Sequence, residues 1–345
     1  MKKIAIVTDA WHPQVNGVVS CYDRMLEQLP KRGYEITVIH PGLFRTMSMP
    51  GYPEIRLTFF PRKRLKKILS DLQPDAVHIA VEGPLGLAAR ALCRKQNIPF
   101  TTCYHTNFQM YLSTRGMDFL TPAAYAFLRW FHNNGVRTMV ATESLRRELE
   151  AHGFKNLALW PLGVDIELFK RNTSSPIPPL TKPVFAYFGR VAIEKNVDEF
   201  MRAELPGTKL VIGDGPDRKR LEEEYAGKAR FVGYKKGQEL VDWLSLCDVS
   251  VFTSRTDTFG LVILEALACG MPVAAHDVMG PRDILTNGVD GYLSENLADA
   301  AVRCLSLDKA KCRITAEQFS WERSADAFVR NLDFSWGDRR ELNPD

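Results

Sequence analysis

Short apolar runs alternate with amphipathic stretches along most of the chain. The runs at 3–8, 35–39, 55–59, 75–79, 99–103, 137–141 and 157–160 are brief and rich in branched or aromatic residues, which predicts strands. Between them, 18–31, 63–71, 84–96, 121–133 and 143–151 carry the amphipathic pattern of helices. The pattern stops at Asn172–Pro183, where Pro, Ser and Thr crowd together, and this stretch reads as a linker. It restarts with strands at 183–188, 208–212, 229–232, 248–252 and 272–275, and helices at 195–203, 217–226, 237–246, 260–268 and 296–305. Strand–helix alternation predicts an α/β protein with parallel sheets wrapped by helices. The expected organisation is a first doubly wound domain over 1–170, a linker over 171–183 and a second domain over 184–318. A C-terminal segment, 319–345, has a helix near 321–332 that is expected to cross back to the first domain. Ligands of such sheets bind at the C-terminal strand ends, so two facing domains predict a site in the cleft between them.

The densest chemistry lies in Ser254–Val273, where a strand end, a glycine turn, a helix start and a second strand follow in quick succession. Asp257 falls in the loop and Glu265 in the helix, and Phe259, Gly260 and Leu261 between them place backbone N–H groups at the helix start. Side chains lean toward a helix N-terminus, so Glu265 can serve the end that Asp257 overlooks. Such a pocket offers acceptors to sugar hydroxyls and donors to phosphate.

Four other segments end strands. Trp11–Val19 contains Gly17 at a helix start, where close approach to a ligand and a plain strand–helix turn are equally good readings, and it lacks G-x-G-x-x-G. His105 follows the buried strand 99–103, and that placement favours function over a structural histidine. After 183–188 come Gly189, Arg190 and Lys195; the two cations can converge on one anion, a flat fork and a point charge, which favours diphosphate binding. Gly213-Asp-Gly-Pro216 reads mainly as a tight turn. Phe231-Val-Gly233-Tyr234 fits both a turn and a backbone face toward a nucleobase.

Composition narrows the classes. Charged residues at 25% and hydrophobic ones at 45% are ordinary for a globular protein, and a net charge of +4 lacks the basic excess of a nucleic-acid binder. The seven cysteines show no C-x-x-C pair and read as buried thiols of a reducing cytoplasm; the seven histidines show no zinc spacing. No apolar run is long enough to span a bilayer, and the first residues read as a strand, not a signal peptide. The basic run Arg62–Lys67 reads first as a solvated helix start, with contact to anionic lipid headgroups as the sharper alternative.

These segments together resemble the GT-B, family 4 group of retaining nucleotide-sugar glycosyltransferases over nearly the whole length. The most specific part is Asp257–Glu265 with the following Ala-Leu-Ala-Cys-Gly-Met-Pro-Val; Gly189-Arg190, Glu194-Lys195-Asn196, Gly213–Pro216 and Phe231-Val-Gly233 support it. Val81–Gly86, Tyr104–Phe108 and Thr256–Gly260 resemble a narrower set of bacterial lipid mannosyltransferases, glucosyltransferases and sulfoquinovosyl-diacylglycerol synthases. The resemblance implies two Rossmann-like domains. It implies that Arg190 and Lys195 hold the donor diphosphate and that Glu265 accepts from the ribose. Asp257 and the amides around Phe259, Gly260 and Leu261 would bind the sugar and phosphate, His105 would contact the sugar at its 6-position, and Gly17 would let the first loop approach the diphosphate. The wider family usually has Glu where Asp257 stands, and many members have two glycines where this chain has Asn16-Gly17.

The expected reaction is retaining transfer of a hexose from a GDP-mannose or UDP-glucose type donor to an acceptor hydroxyl, with a membrane lipid or glycolipid as acceptor. No metal or other cofactor is expected, because Arg190, Lys195 and the helix end supply positive charge. No carboxylate is obviously placed as a covalent nucleophile, which favours a front-face route. The expected setting is the cytoplasm, at the membrane's inner face if the basic run meets lipid. The rivals are a nucleotide-sugar epimerase or phosphorylase on the same architecture, a non-catalytic nucleotide-sugar binder and, weakest, a dinucleotide dehydrogenase.

Overall fold

The computed structural model describes residues 1–14, 16–49, 52–105 and 118–342. The chain divides into two compact units, one holding 1–105, 118–161 and the segment from Trp321 onward, the other holding Leu162–Ser320.

The first unit is built on a six-stranded parallel sheet. Its strands are β1 (Lys2–Val7), β2 (Tyr34–Ile39), β5 (Ala76–Ile79), β6 (Phe100–Cys103), β7 (Arg137–Val140) and β8 (Leu157–Leu159), in the order β2-β1-β5-β6-β7-β8. Ile4 to Val7 are wholly buried, as a central strand covered on both faces requires. Helices Gly17–Gln28, Arg62–Leu72, Pro84–Lys95, Thr121–His132 and Glu143–Ala151 alternate with the strands. The strand expected at 55–59 is not part of this sheet. It lies in β4 (Tyr52–Thr58), which pairs antiparallel with β3 (Thr46–Met49) in a separate ribbon. The reason is connection length: parallel neighbours need a crossover of a dozen or more residues, and these two strands are too close in sequence to make one.

The second unit repeats the plan. Strands β9 (Val184–Phe188), β10 (Thr208–Ile212), β11 (Arg230–Phe231), β12 (Val249–Phe252), β13 (Val273–Ala275) and β14 (Gly291–Leu293) lie in the order β11-β10-β9-β12-β13-β14, all parallel. Every residue of β9, β12 and β13 is buried. Phe185, Val211, Val251 and Ala274 from four strands meet Phe200, Leu221 and Ala300 from the covering helices in one core. The fold class expected from the alternation is therefore what forms.

The hydroxyl-rich stretch after Arg171 runs along this second unit. Asn172 donates to the Asp242 carboxylate (2.7 Å), Ser175 to the Asp242 carbonyl (3.2 Å) and Lys182 to the Leu246 carbonyl (2.6 Å). Its polar side chains satisfy the Asp242 carboxylate and carbonyls at and just past the end of helix Gly237–Leu244, which the helix itself leaves without partners.

Candidate functional site

In the second unit the strand order reverses beside β9: β10 and β11 run to one side, β12 to β14 to the other. Loops that leave β9 and β12 therefore diverge and open a crevice at the C-terminal edge. Gly189 and Arg190 leave β9, and the 253–260 loop leaves β12.

Backbone packing sets the first loop. Gly189 N–H donates to the Ile212 carbonyl (3.0 Å) and Val191 N–H to the Asp214 carbonyl (2.9 Å). A Cβ on Gly213 would lie 1.8 Å from the Gly189 oxygen, and one on Gly215 would lie 2.1 Å from the Val191 oxygen. The Gly-Asp-Gly sequence is thus the surface on which the 189–191 backbone rests, a role beyond the tight turn expected of it. The buried Tyr187 hydroxyl donates to the Arg190 carbonyl (2.6 Å), which fixes the backbone while leaving the Arg190 side chain exposed. Among the described residues that guanidinium makes no ion pair.

A short 3-10 turn, Ile193–Lys195, carries the second cation. Thr253 Oγ1 donates to the Lys195 carbonyl (2.6 Å) and Thr256 Oγ1 to the Glu194 carbonyl (3.2 Å), so the loops after β9 and β12 are stitched together. Across that seam the Lys195 ammonium pairs with the Asp257 carboxylate, each side chain about a quarter exposed. Behind it, Glu199 accepts from Asn196 and from Nε2 of the fully buried His276 (3.0 Å). Lys195 and Asp257 were both expected to touch a donor; the structure joins them directly.

Phe259 is buried against Phe319 (6.1 Å between ring centres), and Gly260 starts helix Leu261–Ala268 with φ of 89°. Ile263 N–H bonds back to the Gly260 carbonyl (2.9 Å). Glu265 is half-buried one turn further along. Gly280, which the sequence reading did not single out, lies behind this loop: a Cβ there would lie 2.8 Å from the Phe259 oxygen and 3.0 Å from that of Asp257. Its signal was the Gly280-Pro281 pair shortly after β13. Gly233 and Tyr234 follow β11, two strands from β9. Gly233 is joined to the Gly-Asp-Gly segment by Arg218, which lies 3.0 Å from its Cβ position and pairs with Asp214 (3.1 Å); Tyr234 is 54% exposed.

The first unit has its own crevice between β1 and β5. Asp9, just after β1, accepts from the Leu85 and Gly86 N–H groups (2.9 Å each) at the start of helix Pro84–Lys95. Burial pushes its carboxyl up to about 6, against the pull of those two donors. Glu82 accepts from His132 Nε2 (2.9 Å), whose Nδ1 lies 2.9 Å from Thr102 Oγ1. Gly17 opens helix Gly17–Gln28, capped by Asn16, whose Oδ1 accepts from Val19 N–H (3.0 Å). His105 follows β6. Its Nε2 lies 3.2 Å from the hydroxyl of Tyr22 on that helix, its Nδ1 lies 3.7 Å from Cys103 Sγ, and burial pushes it down to about 4. His105 is thus tied to the helix that Gly17 opens through Tyr22, which the sequence reading did not single out. The Thr106–Phe108 part of the resemblance motif lies outside the described residues.

Comparison with known proteins bears on the family and the fold. Residues 15–168 match Glycosyltransferase Family 4 and residues 170–308 match Glycosyl transferases group 1. A GDP-mannose-dependent alpha-mannosyltransferase of Mycobacterium tuberculosis is 31% identical over 84% of this chain and 83% of its own length. Sulfoquinovosyl transferase SQD2 of Arabidopsis thaliana is 26% identical over 93% of this chain and 71% of its own. The solved sucrose-phosphate synthase of Thermosynechococcus elongatus superposes with a TM-score of 0.77 at 21% identity, covering 96% of this chain and 98% of its own.

Proposed function

Since the chain belongs to glycosyltransferase family 4, we propose that it moves a hexose, mannose foremost, from a nucleoside diphosphate to a hydroxyl of a lipid or glycolipid acceptor. The transfer retains anomeric configuration and uses the chain's own cations in place of a metal. The observation that carries this reading is the Lys195–Asp257 pair at the switch point of the second sheet, with Arg190, exposed and in no ion pair among the described residues, on the same loop after β9 as Lys195. A diphosphate entering that crevice competes with Asp257 for the ammonium and gains the Arg190 fork as well. Asp257, released, then accepts from hydroxyls of the transferred sugar. The same two cations stabilise the leaving diphosphate as negative charge grows on it, and its oxygen is a base for the acceptor proton on the front face.

GDP-mannose leads as donor because relatives named for it are 31% and 29% identical to the chain. The lipid class of acceptor is supported by relatives such as the alpha-monoglucosyldiacylglycerol synthase of Acholeplasma laidlawii, 25% identical. Among the described residues no helix is long and apolar enough to cross a membrane, so a lipid acceptor would be met at a surface.

A thermal-shift panel of GDP, GDP-mannose, UDP and UDP-glucose tests the donor, because a ligand bound only by the folded state raises Tm. GDP-mannose is expected to give the largest rise; a rise with the uridine pair alone would reassign the base. Product made with acceptor-bearing vesicles should show the donor's anomeric configuration, with turnover unchanged by EDTA. Inverted product or EDTA-sensitive turnover would overturn the mechanism.

A further inference from the structure

Glu82 stands at the C-terminal edge of the first sheet, just past β5 and just ahead of helix Pro84–Lys95. The strand order reverses between β1 and β5, which is where doubly wound sheets hold ligands. Only 12% of the Glu82 side chain is exposed. Its Oε1 accepts from Nε2 of the fully buried His132 (2.9 Å). That ring is held from behind: its Nδ1 lies 2.9 Å from Thr102 Oγ1, which lies 3.0 Å from Thr138 Oγ1. The second oxygen, Oε2, makes no hydrogen bond among the described residues, and it is not among the polar atoms sealed from solvent. Burial dominates the shifts of Asp9, raised to about 6, and of His105, lowered to about 4; the Glu82 charge, near enough to be felt by both, pushes each upward to a lesser degree.

We propose that Glu82 binds a hydroxyl of a sugar or polyol in the crevice of the first sheet, with Oε1 held by His132 and Oε2 facing the ligand. The proposal deepens the glycosyltransferase reading and rests on it for the class of ligand. Such a hydroxyl has two sources, the transferred hexose and the acceptor.

A partner for His132 alone needs one acceptor, and a neutral amide would supply it without the cost of burying charge. The carboxylate brings a second acceptor, which the buried ring and the two threonines behind it hold in place. A mostly buried charged oxygen is unfavourable until a donor reaches it. The neighbouring acid does not compete for that donor, since both Asp9 oxygens accept from the Leu85 and Gly86 amides (2.9 Å each). Two acids side by side also repel phosphate, so the crevice selects neutral hydroxyl groups over a diphosphate.

Glu82→Gln isolates the vacant oxygen. Its carbonyl can still accept from His132, while an amide NH2, which only donates, replaces Oε2. The urea midpoint should therefore stay at the wild-type value. The probes are methyl α-D-mannopyranoside, standing for a hydroxyl-bearing acceptor headgroup, and GDP-mannose against GDP, whose difference reads the donor hexose. Binding is followed by NMR on the full chain labelled with 15N-histidine, the His132 ring being assigned with His132→Gln. On the wild type, the probe that reaches Glu82 should shift the His132 Nε2 resonance beyond any shift given by GDP. In Glu82→Gln the affinity for that probe should fall about ten- to a hundred-fold, as loss of a hydrogen bond to a charged group does, with GDP affinity unchanged. A loss confined to the methyl mannoside assigns the hydroxyl to the acceptor, and a loss confined to GDP-mannose over GDP assigns it to the donor hexose. A His132 resonance indifferent to both probes, or wild-type affinity for both in Glu82→Gln, would overturn the site. If Glu82→Gln fails to fold, the wild-type titration decides alone. Failure of the wild type to bind GDP would instead remove the donor reading, while the methyl mannoside still decides the role of Glu82.

Discussion

The carbonyl oxygen of Gly189 occupies the space in which a side chain at Gly213 would begin, 1.8 Å from the position of its Cβ. Gly213→Ala must push the 189–191 backbone aside, and the nearest atoms are main chain that cannot rotate away. Overpacking of this kind costs about 3 kcal/mol. The urea midpoint should fall and donor binding should weaken with it. A variant with wild-type midpoint and affinity would mean that the loop does not rest on this glycine.

Lys195→Ala and Arg190→Ala should separate function from stability. Lys195 pairs with Asp257 while a quarter exposed, and Arg190 is exposed. Pairs at the surface contribute about 0–1 kcal/mol, so Tm should barely move. Removing a donor of charge stabilisation should lower kcat/KM by about a hundredfold or more. Turnover near wild type under saturating donor would dismiss that residue from the diphosphate site.

Glu265→Ala tests the helix end. Glu265 is half-buried in the first turns of Leu261–Ala268 and is expected to take the ribose hydroxyls. Loss of a charged hydrogen-bond acceptor costs about 1.5–3 kcal/mol, or roughly ten- to a hundred-fold in donor affinity. Calorimetric titration with the nucleoside diphosphate reads this directly; unchanged affinity would move the ribose elsewhere.

Acid should destabilise the first unit through the buried His78 and the half-buried His105. His78 and His105 stay uncharged in the fold down to about 3 and about 4, whereas the unfolded chain charges them near 6.5. Their contribution is complete above 6.5 and is lost as pH falls toward those lower values, at about 1.4 kcal/mol per pH unit for each proton taken up by the unfolded chain. Asp9 works the other way: raised from 3.8 to about 6, it gives stability that is complete below 3.8 and lost as pH rises through 6. Two groups outweigh one, so stability should fall between pH 6.5 and 5. His78→Gln should flatten that fall in urea unfolding. An identical fall in the variant would show that His78 is charged in the fold or does not titrate in this range.

Period and length decided what was legible in the sequence. Strands such as Ile4–Val7 and Val249–Phe252 are buried on both faces, so their apolar runs stand out whatever surrounds them. Gly291–Leu293 is only three residues long and leaves no periodic trace, and the ribbon Thr46–Met49 alternates half-buried and exposed positions without a strong apolar face. Arg190 and Lys195 stood out because they follow closely on a wholly buried strand, where cations are conspicuous, but the pairing of Lys195 with Asp257 joins two loops distant in sequence and left no trace there. Tyr22 and His78 did not stand out, because a tyrosine in an apolar helix face and a histidine within a strand look like ordinary core until distant segments bring their polar tips together. Gly280 was hidden likewise, since close backbone approach is a property of two loops and neither announces it alone.

The return of helix Trp321–Asn331 to the first unit bears on how the protein is made. Phe328 is fully buried beside Tyr22, His78 and Trp160, and the Trp160 indole donates to the Ser324 carbonyl (3.1 Å). On the ribosome, then, the first unit cannot close its interior until Trp321–Asn331 has emerged. The second unit, contiguous from Leu162 to Ser320, has no such wait. Order of birth and order of completion are reversed, and the half-built sheet with its open apolar wall is the species a chaperone would meet.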